Sequence, residues 1–427
     1  MNSDFGNLTT SPLDSPVKLF PLAAGLRVAI ERPLTPSRIA AVLAEACAHW
    51  RNRDFAPRRE TVAAIAAAWG WSEPLLDQSI DALLAPFNVD ALENLARHAP
   101  RRSDLVGLIM PGNIPGAGLH EIAIGLIAGC ALMVKTATAE PIFFARFAHT
   151  LREVDGDVGA RLAVVNWSRE CSELTAALRA NCDWIAAFGG DETIAQLAST
   201  ERPGALKETG AGRLAAGFGS RVSGAIVAAE MAAGAIAAAT TDAIARDLSL
   251  FEQQGCLSPH HIFVEASDGG SAREFARQLA AALERCAARM PPPRRYSLEA
   301  AASLRRVRES ARWRAIGGDA IAMWEGADLE WTVVYDETAV FTQSPGYRTV
   351  TVSPIVDLDD LSRRLQPVAG RIEAFAIAAP AARRERMRVF MAALDVSYVC
   401  EPGAMQSPPL DWSHGGGAFL RALTTSR

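Results

Sequence analysis

The sequence predicts an α/β protein of two domains, each with a mostly parallel sheet and helices on both faces. From residue 104, short apolar runs alternate with amphipathic segments, which is the pattern of β-α-β-α units. A second alternation of the same kind follows a long alanine-rich segment at 225–251. The chain has 427 residues, which is too long for one hydrophobic core, since single cores stop growing at roughly 250–300 residues.

The first 100 residues are predicted to form a helical layer of the first domain. Apolar residues recur at helical spacing in "TPSRIAAVLAEACAHWRNR" and "RRETVAAIAAAWGW", with serine or threonine placed before the apolar periods as N-caps. The first twenty residues lack the basic-then-apolar pattern of a signal sequence. The longest uncharged apolar run, at 122–134, is too short to span a bilayer, so no membrane segment is expected.

The region 101–240 is predicted to be the first α/β domain. Its strand candidates are "DLVGLIM", "CALMVK", "RLAVVNW" and "DWIAAF". Its helix candidates are "GLHEIAIGLIAG", "PIFFARFAHTLREV", "SELTAALRA" and "DETIAQLAS", followed by the alanine-rich helix candidate at 225–251. Strands that alternate with helices of this length predict a parallel sheet.

The region 241–400 is predicted to be a second α/β domain, and 401–427 a C-terminal tail. The strand candidates are "HIFVE", "WTVVYDE", "RTVTVSPI", "EAFAIAA" and "VSYVCE". Helices are expected at about 272–289, 357–366 and 380–394, with a surface linker at 289–297.

Charge and cysteine usage exclude several classes of protein. A net charge of -5 and a pI near 5.9 argue against a nucleic-acid binder, which would carry a basic face. The seven cysteines are scattered and contain no C-x-x-C pair, so neither a disulfide framework nor a metal site is indicated. A reducing cytoplasm is the expected location.

Cys256 lies on a turn between the long helix candidate and the strand "HIFVE". Most free cysteines are small buried hydrophobes, but a thiol on such a turn can reach a ligand. His260 and His261 offer a Cys/His pair, as in a hydrolase or acyltransferase. Adjacent residues of a strand point to opposite faces, so at most one could face the thiol, and two histidines at a strand entry are the favoured interpretation.

Three further segments stand at predicted carboxyl ends of strands, where α/β sheets present ligands. Asn113, in "MPGNIPGAGLHE", is either a turn residue or a side-chain donor to an oxyanion. Lys135 is one of only three lysines among 43 lysine and arginine residues, which suggests a role at this position that arginine cannot fill. The amides of Gly189 and Gly190 precede a helix and could face a pyrophosphate.

Taken together, six segments resemble the LuxC-type fatty-acyl-CoA reductase family of the aldehyde dehydrogenase superfamily, over about 105–415. In chain order they are "MPGNIPGAG", "MVKTATAEP", "AFGGDETI", "GFGSRVSGAIV", "LFEQQGCLSPHHIFVE" and "GAMQSPPLDWSHGG". The resemblance implies an aldehyde dehydrogenase-like fold, with a Rossmann-type cofactor domain at 101–240 and a catalytic domain at 241–400.

The resemblance also implies two catalytic residues. Asn113 in "PGNIP" matches the family's asparagine that donates to an oxyanion, and Cys256 in "QQGC" matches the catalytic cysteine. The implied function is the reduction of a fatty acyl thioester, acyl-CoA or acyl-protein, to the aldehyde through an acyl-enzyme on Cys256. In this family the thiolate faces a cleft between the two domains.

Four residues match the family's cofactor contacts. Lys135 lies 22 positions after Asn113, where the superfamily lysine contacts the adenosine ribose or its phosphate. Thr138 stands where an acid, when present, favours NAD, so the resemblance implies NADPH, with NADH as the alternative. The glycine pair matches Gly189 and Gly190.

The chain departs from the superfamily pattern at two places. Aldehyde-oxidising members carry a general-base glutamate some thirty residues before the cysteine, but no acid occurs between 209 and 229, which disfavours hydrolysis of an acyl-enzyme. The family's W-x-H-D-G reads Trp412-Ser413-His414-Gly415-Gly416, so the acid is replaced by Gly415 and no role for His414 can be carried over.

Two other functions stay open at this point: a Cys/His acyltransferase or thioesterase, and a non-catalytic partner protein that retains the fold. The replacement of the family acid by Gly415 favours the non-catalytic alternative. The resemblance further implies an acyl-activating synthetase as a partner and a homo-oligomer.

Overall fold

A computed structural model describes residues 12–199, 212–266 and 269–425. The chain forms two compact units. Unit 1 comprises the described residues of Met1–Ile65, Leu83–Ser220 and Pro409–Arg427, and unit 2 those of Ala66–Ala82 and Arg221–Pro408. The units divide the chain differently from the predicted domain limits, because unit 1 ends at Ser220 and resumes at Pro409.

Helices and strands alternate along most of the described chain. The helices are α1 (Leu19–Glu31), α2 (Pro36–Arg51), α3 (Ala56–Trp69), α4 (Glu73–Leu84), α5 (Val89–His98), α6 (Leu119–Ala128), α7 (Phe143–Val154), α8 (Gly156–Gly159), α9 (Ser172–Asn181), α10 (Asp191–Ser199), α11 (Gly234–Ser249), α12 (Gly269–Arg289), α13 (Leu298–Ile316), α14 (Leu358–Leu365), α15 (Ala381–Ala393) and α16 (His414–Thr425). The strands are β1 (Leu105–Ile109), β2 (Ala131–Thr136), β3 (Leu162–Asn166), β4 (Trp184–Phe188), β5 (Arg213–Phe218), β6 (Val222–Val227), β7 (Pro259–Glu265), β8 (Ile321–Glu325), β9 (Thr332–Asp336), β10 (Thr349–Ile355), β11 (Ile372–Ala378) and β12 (Tyr398–Cys400).

Unit 1 is built on a parallel sheet with the strand order β3-β2-β1-β4-β5. β2 and β4 are buried along their whole length, as strands of a sheet covered on both faces must be. The chain moves outward in one direction from β1 to β3 and in the other from β4 to β5. The order therefore reverses between β1 and β4, and doubly wound proteins bind ligands at the carboxyl edge of such a reversal.

Helices of the N-terminal layer cover this sheet. Leu19 and Leu26 of α1 join a core cluster with Leu105, Trp167 and Ile185. Thr35 caps α2 by accepting a hydrogen bond from the backbone N–H of Arg38, as the sequence predicts. The layer is not wholly part of unit 1, since Ala66–Ala82 belongs to unit 2.

Unit 2 is built on a seven-stranded sheet with the order β12-β11-β6-β7-β10-β9-β8. The pairs are parallel except for the edge strand β8, which runs antiparallel to β9. Val222, Phe263, Ile355, Phe375 and Met391 belong to one core cluster of this unit. Cys256 precedes the central strand β7, which pairs with β6 and β10.

The predicted helix at 225–251 is wrong in its first part. Residues 222–227 form β6, and helix α11 begins only at Gly234. Alanine favours helices, but this segment is buried on both faces between β11 and β7, and tertiary packing overrides the propensity. A Cβ on Gly224 would lie 2.8 Å from the Phe375 ring, so this glycine allows the strands' side chains to pack closely.

Other elements agree with the sequence or add to it. The strands predicted in both domains and the helices expected at about 272–289, 357–366 and 380–394 are confirmed. β5, β8, α8 and α13 were not predicted, and neither was α16, which lies in the segment predicted as a tail. No helix in the described ranges is both long enough and apolar enough to cross a membrane. The prediction that no signal sequence is present concerns a segment whose first eleven residues lie outside the described part.

Gly129 ends α6 with a φ of +103°, and a Cβ there would lie 2.5 Å from the carbonyl oxygen of Arg102. We expect Gly129→Ala to lower the free energy of unfolding by about 1–3 kcal/mol, because alanine is strained in this conformation and meets backbone rather than a movable side chain. Urea unfolding measures the change. Gly25→Ala is the matched control, since Gly25 lies inside α1 with open space around it, and it should stabilise slightly. Equal effects of both variants would contradict the prediction.

Candidate active site

The candidate residues of unit 1 lie at the carboxyl ends of three strands of its sheet, β1, β2 and β4. The loop after β1 contains Asn113, which is exposed. Gly112 packs against the turn after β2, because a Cβ at this position would lie 2.5 Å from the Cβ of Ala137. Gly118, with a φ of +98°, ends this loop and leads into α6. Asn113 therefore stands on a tightly packed loop at the point where the strand order reverses.

Lys135 and Thr138 lie together at the end of β2, both near Trp167. The Lys135 Nζ atom is 5.8 Å from the centre of the Trp167 ring, and the side chain is buried. Burial lowers the pKa of Lys135, since water solvates the ammonium group poorly there. The Thr138 hydroxyl donates to the carbonyl oxygen of Trp167 at 3.4 Å, and Thr138 is exposed.

The two glycines at the end of β4 differ in their surroundings. The Gly189 N–H donates to the carbonyl oxygen of Phe218 at 3.1 Å, so this amide is engaged within the sheet edge. A Cβ on Gly189 would lie 3.2 Å from Thr193, whereas one on Gly190 would meet nothing within 4 Å. Gly190 is therefore the more open of the two, directly before the start of α10.

These residues fit a dinucleotide at this edge. A cation, an exposed hydroxyl and an open glycine at a helix start are the chemistry that ribose, phosphate and pyrophosphate groups require. That Lys135, Thr138, Gly189 and Gly190 hold a cofactor stays a prediction.

In unit 2, Cys256 lies on a turn that the backbone enters under strain. Phe251, Glu252 and Gln253 have φ values of +54°, +51° and +59°, a left-handed conformation that costs roughly 1–2 kcal/mol per residue. The turn then passes into β7 at Pro259. The Cys256 side chain is partly exposed, unlike Cys47, Cys130, Cys182 and Cys286, which are buried. The turn therefore leaves Cys256 partly accessible to solvent.

The Gln253 side chain holds the strained segment in place. Its Nε2 donates to the carbonyl oxygens of Pro259 at 2.7 Å and Thr349 at 2.8 Å, and its Oε1 accepts from the Thr349 N–H at 2.7 Å. Gln253 is buried, where water cannot supply hydrogen bonds, so these protein partners satisfy its polar atoms. On the other side of the thiol, the Ser223 hydroxyl donates to the carbonyl oxygen of Cys256 at 2.6 Å.

A second contact fixes the same segment. The carboxylate of Glu252 forms an ion pair with Arg348, and both side chains are fully buried. Burial raises the pKa of Glu252 to about 7, against the opposing charge of Arg348. Glu252 is consequently held by its partner, four residues before Cys256.

His260 and His261 do not form the base of a Cys/His pair in this arrangement. The Ser344 N–H donates to Nδ1 of His260 at 3.0 Å, and the Thr342 N–H donates to Nδ1 of His261 at 3.1 Å. Burial lowers the pKa of His260 to about 4 and that of His261 to about 3, so both rings are neutral at pH 7. They hold the loop at 342–344, which supports the interpretation as strand-entry histidines.

Sequence reasoning missed the residues that support the site. Gln253 and Glu252 stand beside Cys256 in "FEQQGC", where a buried polar run could have raised the question of their partners. Arg348 is 96 positions from Glu252 and carries no local signal. Asn113 and Cys256, the two predicted catalytic residues, belong to different units, and their joint action stays a prediction.

The comparisons with known proteins agree with this architecture. The family model described as acyl-CoA reductase (LuxC) matches residues 101–426. A search among curated proteins found no match.

Solved structures similar to this chain are aldehyde dehydrogenases and related enzymes. An NAD-dependent benzaldehyde dehydrogenase from Corynebacterium glutamicum has a TM-score of 0.68 at 15% identity, over 96% of this chain and 89% of its own. An oxidoreductase from Marinobacter aquaeolei has a TM-score of 0.69 at 17% identity, over 91% and 83%. An aldehyde dehydrogenase from Bacillus cereus, solved as an NAD+ complex, has a TM-score of 0.65 at 15% identity, over 91% and 81%. These similarities establish an aldehyde dehydrogenase-like fold.

Arg348→Met should lower the free energy of unfolding by about 3–5 kcal/mol, because it leaves the Glu252 carboxylate buried without its cation. Adding Glu252→Gln should recover most of the loss, since no uncompensated charge then remains. Urea unfolding of the single and double variants checks both statements. Arg277→Met, which breaks an exposed ion pair with Glu274, is the control and should cost less than about 1 kcal/mol. If Arg348→Met is no more destabilising than this control, the buried pair does not support the turn.

Proposed function

Because this chain belongs to the acyl-CoA reductase (LuxC) family and is an oxidoreductase acting on acyl or aldehyde groups, we propose that it reduces a fatty acyl thioester to the aldehyde. The substrate is an acyl-CoA or acyl-protein, and the intermediate is a thioester on Cys256. The observation that supports this best is the Cys256 turn, where a strained backbone and buried hydrogen bonds hold a partly exposed thiol.

The first half of the reaction is acyl transfer to the protein. The Cys256 thiolate attacks the thioester carbonyl carbon, the carbon–sulfur bond to coenzyme A breaks, and coenzyme A leaves and takes a proton from solvent. For Asn113 we propose the role that the family resemblance assigns, donation of its side-chain amide to the oxyanion.

The second half releases the aldehyde. A nicotinamide cofactor, when bound, supplies the hydride that reduces the carbonyl carbon of the acyl-enzyme. Cys256 then leaves as a thiolate when its bond to that carbon breaks, and the free enzyme is regenerated. Lys135, Thr138, Gly189 and Gly190 are proposed to hold the cofactor.

Reduction rather than hydrolysis is supported by the groups around the thiol in the sequence. No acid occurs between 209 and 229, although residues 209–211 lie outside the described part. Glu252 is buried with Arg348, and His260 and His261 accept backbone hydrogen bonds. None of these groups is placed to activate water, so an acyl-enzyme would survive until hydride reaches it.

We expect Cys256→Ala to abolish acyl-CoA-dependent oxidation of NADPH while leaving nucleotide binding unchanged, because the variant removes the nucleophile and leaves the residues of unit 1 intact. Absorbance at the nicotinamide band, with a series of acyl chain lengths, measures the reaction and gives the preferred chain. Cys171→Ala is the control, since Cys171 is exposed and has no proposed role.

Other outcomes select other functions. Release of coenzyme A thiol without loss of NADPH would indicate a thioesterase or acyltransferase. If neither changes with any acyl chain, and an acyl-activating partner added to the assay does not restore turnover, the chain is a non-catalytic protein that retains the fold.

Thr138 provides a separate test of cofactor choice. We expect Thr138→Glu to lower kcat/KM for NADPH by roughly tenfold or more relative to NADH, because a carboxylate repels the 2′-phosphate and accepts from free ribose hydroxyls. Thr138→Gln, which has a similar size and no charge, is the matched control. The assignment of Thr138 to the cofactor site is wrong if both variants change the two cofactors' kcat/KM equally.

A further inference from the structure

The sequence left His414 without a role, and the structure gives it a partner from α6. The Nδ1 atom of His414 lies 2.7 Å from Oε1 of Glu121, whose side chain is 1% exposed. The acid expected at position 415 could not be accommodated without a shift, because a Cβ on Gly415 would lie 2.8 Å from the Phe218 ring. Position 415 therefore carries no carboxylate, and the carboxylate that His414 contacts belongs to Glu121.

Aromatic rings lie close to the His414 imidazole. Its ring centre is 4.3 Å from that of Trp412 and 4.6 Å from that of Phe218, with interplanar angles of 24° and 31°. Aromatic faces attract a cation, and so does the Glu121 carboxylate. The surroundings of His414 thus stabilise a positive charge on the imidazole.

Glu121 has features that keep it ionised despite its burial. Burial raises the pKa of this carboxyl, but the charge of His414 and the hydrogen bond from it outweigh that effect, so that the pKa lies below its ordinary value. Glu121 also lies in the first turn of α6, where the helix dipole favours a negative charge. Its Oε2 has no hydrogen-bond partner among the described residues. Among the described residues, His120 is a further titratable group near the pair: its charge also lowers the pKa of Glu121, and its ring lies 5.7 Å from Trp412.

This pair lies at the edge of the sheet where the cofactor residues stand. The His414 ring is 5.4 Å from Phe188, the last residue of β4, which directly precedes Gly189 and Gly190. The first turn of α10 carries Asp191 and Glu192, two acids that would repel a pyrophosphate. His414, with 16% of its side chain exposed, brings a cation to the same edge.

We propose that Glu121 holds His414 as an imidazolium that binds the pyrophosphate of the nicotinamide dinucleotide beside Gly189 and Gly190. This inference rests on the proposed function only in taking a nicotinamide dinucleotide as the cofactor. His414 is then a binding residue of the cofactor site and Glu121 is its positioning residue.

The test measures binding to the full chain without any thioester. ADP-ribose, which contains the pyrophosphate, is compared with AMP, which does not, by calorimetry at pH 7. We expect His414→Gln and Glu121→Gln to weaken ADP-ribose binding by roughly tenfold and AMP binding by less than twofold, as for the loss of one charge-assisted contact. His149→Gln is the matched control, since His149 lies on α7 beside Glu153, away from this pair, and its replacement should change neither affinity.

The pH dependence gives an independent readout. The wild-type affinity for ADP-ribose should fall as pH rises through the range where imidazolium loses its proton, since the cation binds the anion. His414→Lys should keep the affinity and lose this pH dependence, and this charge-retaining variant also separates a lost contact from a misfolded site.

Two results would overturn the proposal. One is unchanged ADP-ribose affinity in His414→Gln, and the other is an equal loss of ADP-ribose and AMP, which indicates that His414 only packs against the aromatic rings. Failure of the proposed reduction would leave this assay readable, because no thioester is present.

Discussion

The left-handed backbone at 251–253 is the constraint on which the chemistry of unit 2 depends. Three consecutive non-glycine residues hold this conformation, at a cost of roughly 1–2 kcal/mol each. The cost is offset because the Gln253 side chain bonds to Pro259 of β7 and Thr349 of β10, and Glu252 is paired with Arg348 in the interior. Strained backbone of this kind persists only where surrounding contacts hold it in place. Here the strained segment places the Cys256 turn before the central strand β7.

In unit 1, the arrangement of the candidate residues depends on the parallel direction of the strands. Since β1, β2 and β4 run the same way, the loops that follow them lie at one edge, although they are separated by tens of residues in the chain. Asn113 and Gly190 stand on those loops for that reason, and Lys135 lies near the end of β2 at the same edge. His414 reaches the same edge by another path, from the start of α16, and its partner Glu121 comes from the helix that follows β1.

Much of the fold and several site residues could be predicted from the sequence, and the predictions that failed share a cause. Local patterns predicted the strands around Lys135 and Cys256 correctly, since alternation and turn residues act over a few positions. They failed for β6, where alanine and glycine fit a helix locally and a strand only when β7 and β11 lie on either side. The partners Arg348 and Glu121 were missed because a buried ion pair depends on contacts 96 positions apart in one case and 293 in the other.

The discontinuity of unit 1 has a consequence for biosynthesis. Phe419 of α16 lies 5.4 Å from Trp184 and beside Gly125, so the last segment of unit 1 completes a core begun near residue 105. On the ribosome, nearly 190 residues of unit 2, Arg221–Pro408, emerge before that segment does. Trp184 therefore lacks its α16 neighbour while unit 2 is synthesised, and the apolar surface that α16 covers in unit 1 stays exposed during that time.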